Sequence, residues 1–238
     1  MTGTIVNVVA IVAGSLLGLL LKRGMPKRIE ETLMKIMGVS VLIIGLNGII
    51  SSMFVIDADG GLSSSGELLM LCSLVIGAVI GELLNIDDHL NRFGSYIEAK
   101  TKADGFSRGF ISASIIYCVG AMAIIGSLND GLTGDSSVLF IKSALDGVNS
   151  IIFGASLGIG VAFSAIPVLI YQGGISLLAG VLAPLISDVL LNNICAVGYV
   201  IVACIGMNIS GICKIRVANL LPALVVPVIY QVVLSLIH

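Results

Sequence analysis

The sequence predicts an all-α integral membrane protein of about eight transmembrane helices, and three observations carry that prediction. Of its 238 residues 57% are hydrophobic and only 11% are charged, against roughly a quarter charged in an ordinary soluble domain. With a mean hydropathy of +1.13, the chain has too little polar surface to cover a globule, so its apolar majority must face lipid. Finally, apolar runs long enough to cross hydrocarbon recur along the whole chain, and positive charge collects between alternate ones.

The runs are 4–21, 38–56, 67–85, 109–128, 147–166, 169–187, 194–212 and 219–237, forming one polytopic domain over 1–238. No positive residue precedes the first run, and Lys22 and Arg23 follow it at once. A signal peptide has the reverse polarity, so this run is expected to stay as the first span. Lys22, Arg23, Lys27, Arg28 and Lys35 follow the first span; Arg92, Lys100, Lys102 and Arg108 follow the third; Lys214 and Arg216 follow the seventh. These are eleven of the twelve basic residues, and Lys142 is the exception. The opposite connections hold Asp57, Asp59, Asp130, Asp135 and Asp188. Both termini are therefore expected outside a bacterial cytoplasmic membrane, with an even number of crossings.

Between the spans, Ile29, Leu33, Ile36 and Met37 recur at helical spacing, as do Ile86, Leu90, Phe93 and Ile97, which predicts two short cytoplasmic amphipathic helices. The stretch from Gly147 to Ile186 is interrupted only by Pro167 and Tyr171-Gln172-Gly173-Gly174, so a tight hairpin is expected at 164–174. Cys72, Cys118, Cys195, Cys204 and Cys213 sit in or beside apolar runs without CxxC spacing and read as small hydrophobes.

Two internal correspondences stand out. The first and third spans carry Gly14/Gly18 and Gly77/Gly81, small pairs that let helices approach closely. At a constant offset of 161, Ser15-Leu16-Leu17 matches Ser176-Leu177-Leu178, and Ile44-Gly45-Leu46-Asn47 matches Ile205-Gly206-Met207-Asn208. The spans so related run in opposite directions, giving an inverted repeat of spans 1–3 against 6–8, an arrangement common among secondary transporters.

Conventional catalytic signatures are absent, and only His89 and His238 could supply imidazole. No enzyme activity, cofactor or metal is expected. A net charge of −2 sets nucleic acid aside as a partner. The informative region is 117–150. Here Asp135, Ser136 or Ser137 offers an N-cap to a helix from Val138 onward. Ser143, Gly147, Ser150, Gly154 and Gly158 then form one stripe of small residues bordered by Asp146 and Asn149. An ionisable residue inside a membrane is costly to keep, which marks Asp146 as a candidate site. Lys142, four residues earlier, could instead neutralise it near the interface. Asp130-Gly131 reads either as a second binding position or as a turn. Asn47 and Asn208 read as solute ligands or as interhelical glue, Gln172 as a ligand or a hairpin residue, and Glu82 as interfacial.

These segments also carry a resemblance. With Gly120-Ala121-Met122-Ala123-Ile124, Gly126-Ser127, Asp130-Gly131, Leu145-Asp146-Gly147, Phe163 to Leu169, Tyr171-Gln172-Gly173, and Lys214 to Ala223, the chain resembles the YqgA/YdfK-like family of bacterial inner-membrane proteins, a domain-of-unknown-function family. The likeness runs from Gly3-Thr4-Ile5-Val6-Asn7 to the end. It implies a bacterial cytoplasmic-membrane protein and brings no activity.

The expected function is a secondary transporter or permease for a small solute or ion. Asp146 and Asp130 would bind a cation or proton, and Asn149, Ser150, Asn47, Asn208 and Gln172 would hydrogen-bond a solute. The alternatives are an oligomeric channel, with Gly14/Gly18 and Gly77/Gly81 as assembly faces of a homo-oligomer, and a non-transporting scaffold or sensor. The expected partners are membrane lipid and a small solute or cation.

Overall fold

A computed structural model of the chain describes residues 1–22, 26–56, 61–101 and 106–237. Arg23, Asp57, Asp59, Lys102 and His238, used above in reading the sequence, lie outside these residues. The described chain is almost entirely helical: α1 (Thr2–Lys22), α2 (Lys27–Met53), α3 (Glu67–Leu84), α4 (Ile86–Thr101), α5 (Phe106–Cys118), α6 (Ala121–Leu132), α7 (Ser137–Leu157), α8 (Gly160–Phe163), α9 (Ala165–Leu177), α10 (Ala179–Leu182), α11 (Asp188–Ser210) and α12 (Val226–Ile237). Two 3₁₀ segments, Ala183–Leu185 and Val217–Leu224, follow α10 and precede α12. One antiparallel hairpin, β1 (Phe54–Ile56) with β2 (Leu62–Ser64), joins α2 to α3 in the register Phe54↔Ser64. Val55 and Ile56, read above as the end of a span, are β-branched and suit this strand.

Among the described residues seven helical stretches are long and apolar enough to cross a membrane, and α5 with α6 makes an eighth if that pair, bent by 63°, is one crossing. Helix direction decides the count. Gly3 lies against Leu139, Gly14 against Gly147, and Gly18 against Ile151 and Ala155, so residue numbers rise together and α1 and α7 are parallel. Parallel helices need an odd number of crossings between them. With α2 and α3 supplying two, α5/α6 supplies the third.

Several boundaries differ from the sequence reading, each for a local reason. The first amphipathic segment is not separate: it continues into the second span as α2, since nothing at residues 37–39 breaks the helix. The second is a distinct helix, α4, set off by Asn85 in the left-handed conformation at φ 48°. The fourth span breaks at 119–120, because Gly120 adopts φ 118°, ψ 150°, a conformation only glycine takes readily. It then runs to Leu132, so Asp130-Gly131 is the last turn of α6 and not a loop. The fifth span begins at Ser137, ten residues before the expected 147, and ends at Gly158 with φ 83°. The chain reverses there, and the hairpin expected at 164–174 is absent: Pro167 fits the first turn of α9, and Gln172-Gly173-Gly174 continue that helix. At the start of α7 the Asp135 carboxylate accepts bonds from the Ser137 amide at 3.0 Å and hydroxyl at 2.6 Å. These bonds hold the Asp135 carboxyl below the usual range.

The chain divides into two compact units, Met1–Met34 with Leu90–Leu185, and Lys35–His89 with Ile186–His238. In the first, α1 and α7 touch backbone to backbone. A methyl group at Gly14 or Gly18 would strike the carbonyl oxygens of Gly147 or Ile151, and Gly154 faces the Ser15 carbonyl. In the second unit, α2 packs antiparallel on α11 through Gly38 against Ser210, Gly45 against Ala203, and Gly206 against Leu42. Gly77 and Gly81 of α3 meet Ala223 and Asn219. The two glycine pairs read as assembly faces of an oligomer are therefore used inside one chain. Large apolar side chains such as Ile5, Val9 and Leu20 of α1 and Leu68, Leu71, Val75 and Leu83 of α3 stay exposed, as lipid-facing residues should.

The close α1–α7 approach makes a direct prediction. Gly14→Ala overpacks a backbone contact and should cost about 1–3 kcal/mol, lowering the thermal midpoint of the purified protein. Gly180→Ala, where nothing lies within 4 Å, should leave the midpoint unchanged. Equal midpoints for the two variants would refute the packing.

Candidate functional site

The first unit closes around a buried polar cluster. Asp146 is the tenth residue of the 21-residue α7, about 14 Å from its start at 1.5 Å per residue. The early start of α7 thus puts this carboxylate near the middle of the helix. Lys142, one turn earlier, donates to Asp146 Oδ2 at 2.7 Å, and the two residues are only 6% and 5% exposed. The sequence offered this pair as an interfacial neutralisation. Both charges are instead buried among helices, where removing one partner costs far more than on a surface.

Asn7 of α1 joins the pair. Its Nδ2 donates to Asp146 Oδ2 at 3.0 Å and to Gln172 Oε1 of α9 at 3.3 Å. The acceptor-only carboxylate fixes the amide orientations in turn. It requires the nitrogen of Asn7 on its side, and that nitrogen requires the oxygen of Gln172. Asn7 Oδ1 and Gln172 Nε2 are left buried and, among the described residues, without a hydrogen-bond partner, as are the hydroxyls of Thr4 and Ser127. The cluster joins α1, α7 and α9 through Asn7, the Lys142–Asp146 pair and Gln172, and α1 packs on α6, α7 and α9.

The break in the fourth span borders this cluster. Tyr117, fully buried one residue before the end of α5, shares a 2.7 Å hydrogen bond with Ser150 Oγ of α7. Its ring rests 6.2 Å from that of Phe153. Cys118, at the break itself, lies within electrostatic range of Lys142 and Asp146. At the break itself the Val119 amide still donates to the Ile115 carbonyl at 2.9 Å and the Gly120 carbonyl accepts from the Ala123 amide at 3.1 Å, and irregular backbone at membrane depth is tolerated where protein buries it.

Asp130 forms a second buried position. Its Oδ1 accepts from Ser136 Oγ at 2.6 Å, and its Oδ2 lies 3.0 Å from the Met1 amino group. The other candidates separate by role. Ser150 is fully buried on Tyr117, while Asn149 is half-buried beside it. Asn47 is exposed in the second unit. Asn208 spends both ends of its amide on Ile215, donating to its oxygen at 2.7 Å and accepting from its nitrogen at 2.8 Å. Asn208 thus clamps the turn after α11. Nearby, Asn219 Oδ1 accepts from the Asp87 amide at 2.7 Å and caps α4, while exposed Arg216 pairs with Glu82 at 3.3 Å. Among the described residues no three His, Cys, Asp or Glu side chains gather as a metal site would need. Cys195 and Cys204 are buried, and all five cysteines are free thiols.

Sequence reasoning missed Asn7 as a site residue. The signal was its place on one stripe of α1 with Gly3, Ile11, Gly14 and Gly18, all at helical spacing and all buried. A polar residue there faces a neighbouring helix and not lipid.

A helical bundle with an apolar exterior and an internal ion pair defines a polytopic membrane protein. Comparison with known proteins makes this specific: the chain belongs to the family described as "Protein of unknown function (DUF554)", matched over residues 2–232. It is 32% identical over all of its length to "Uncharacterized membrane protein YdfK" of Bacillus subtilis (strain 168), covering 97% of that protein. It is 29% identical to "Uncharacterized protein YqgA" of Escherichia coli (strain K12), over 93% of this chain and 92% of that one. No solved structure matches the chain.

The hydrogen-bond chain predicts an order of stabilities. Asn7→Leu removes the donor shared by Asp146 and Gln172 and should cost about 1–3 kcal/mol. Asn7→Asp sets a second carboxylate beside Asp146 and should melt lower still. Thermal unfolding of the three purified proteins checks the order, and an Asn7→Leu variant as stable as wild type would contradict the cluster.

Proposed function

We propose that the protein is a secondary transporter or permease for a small solute or ion. The observation that carries this reading is the buried Lys142–Asp146 pair, held by Asn7 and Gln172 at the middle of a helix bundle and bordered by a broken helix. Buried ion pairs gain little stability over apolar packing, so their retention in a span favours a working role. Discontinuous helices supply the free backbone groups and hinges that alternating access uses.

The inverted repeat receives support from helix packing in the second unit. The offset of 161 that relates Gly45 to Gly206 also relates Leu42 to Ala203. The contact of Gly45 with Ala203 therefore maps onto that of Leu42 with Gly206 when α2 and α11 exchange roles. A two-fold axis between the helices has this property. The proposed orientation puts both termini outside the bacterial cytoplasmic membrane. It is supported by the basic residues on alternate connections and by Lys142, the exception, being consumed by Asp146.

In this mechanism the resting pair is occluded, and arriving solute competes for its charges. Opening on one side exposes the cluster through the break at 119–120. Exchange of partners then favours closure behind the solute and opening on the other side.

The test is flux in proteoliposomes. Wild type and Asp146→Asn protein would be challenged with pools of amino acids, sugars, organic acids and nucleosides under imposed sodium or proton gradients. The proposal expects saturable flux with at least one pool, reduced about tenfold or more by Asp146→Asn. Non-saturating conductance would point to a channel, and no flux with any pool would leave a scaffold.

A further inference from the structure

Resting on the permease reading above, we infer that the Lys142–Asp146 site is built for a small zwitterion. The ligand's ammonium takes the place of Lys142 against Asp146, and Lys142 receives its carboxylate. Charge conservation in a buried site gives the first argument. A cation arriving alone at Asp146 would displace the Lys142 ammonium and leave it buried without a partner. An anion arriving alone at Lys142 would strand Asp146 in the same way. Each outcome leaves an uncompensated buried charge, the costly case in a protein interior. A ligand with one charge of each sign separates the pair, satisfies both halves and leaves the net charge unchanged.

The unpaired amide atoms give the second argument, because the cluster holds one unsatisfied acceptor and one unsatisfied donor. Asn7 Oδ1 is a free acceptor on the residue that touches Asp146, suited to a further N–H of an ammonium group. Gln172 Nε2 is a free donor, suited to a carboxylate oxygen. Their orientation is imposed by Asp146 through the two bonds of Asn7 Nδ2, so the polarity is a property of the cluster. A lone cation could use Asn7 Oδ1 and would leave Gln172 Nε2 unsatisfied, and a lone anion would do the reverse. The two site residues lie one helical turn apart, with 2.7 Å between the charged atoms in the closed pair. That geometry fits compact ligands in which few bonds separate the charges.

The experiment measures ligand-induced thermal shift and equilibrium binding on purified full-length wild type. The probes are glycine, β-alanine and γ-aminobutyrate, which step the charge separation, with methylammonium and acetate as single-charge fragments. The inference expects at least one zwitterion to raise the midpoint at a concentration where neither fragment does. It also expects binding about tenfold or more weaker in the charge-neutral Lys142→Gln/Asp146→Asn double variant and unchanged in Gly180→Ala. The double variant keeps no lone buried charge, so its folding does not hinge on the pair. Zwitterions that fail while methylammonium or acetate binds in an Asp146- or Lys142-dependent way would overturn the inference and leave the permease reading standing. Binding of none of these probes, with flux in proteoliposomes carried by another solute class, would also overturn it. Absence of both binding and flux would overturn the two readings together.

Discussion

A lysine and an aspartate held together inside a bundle of apolar helices set the terms for the rest of the first unit. In a medium that solvates charge poorly, neither can stay ionised without the other, and separating them costs several kcal/mol. Their placement near the midpoint of α7 requires α1 and α9 to present polar atoms there, which Asn7 and Gln172 do. It also requires water and lipid to be kept out. The glycines of α1 meet this need by bringing their backbone onto the backbone of α7 on the C-terminal side of Asn7 and Asp146.

The fold then reads as two kinds of helix contact. Where glycine faces a carbonyl, as between α1 and α7 or α3 and the 3₁₀ segment before α12, the helices touch closely and leave little freedom. Where the chain breaks, at Gly120 and Gly158, the backbone adopts conformations that only glycine takes readily. The break at Gly120 follows Tyr117, which bonds Ser150 one turn beyond Asp146, while Gly158 ends α7. A rigid pair of helices beside an unwound one is a sound arrangement for holding charges that must later change partners.

Much of this was legible in the sequence because lipid imposes strong rules. The number of stretches able to span a membrane followed from composition and the recurrence of apolar runs. Asp146 stood out as an ionisable residue among small ones. Helix boundaries were less legible. Gly147 and Gly173-Gly174 look like breaks in a string of letters but lie within helices, while Gly120 and Gly158 are the true breaks. Glycine permits either conformation, and tertiary packing decides. Asn7 was hidden for a different reason: its partners are 139 and 165 residues away, and one sequence carries no record of such pairings. Asn208 was hard to read because a polar residue inside an apolar run can also serve its own turn, as its bonds to Ile215 do.

The most direct test of this account is a double-mutant cycle on the ion pair, read by detergent-induced unfolding in mixed micelles. Lys142→Gln and Asp146→Asn should each lose about 3–5 kcal/mol by stranding a buried charge. The variant carrying both should recover most of that loss, since no charge is left stranded. Single effects that are small, or that simply add in the double variant, would show that water reaches both residues and would contradict the buried pair on which the account rests.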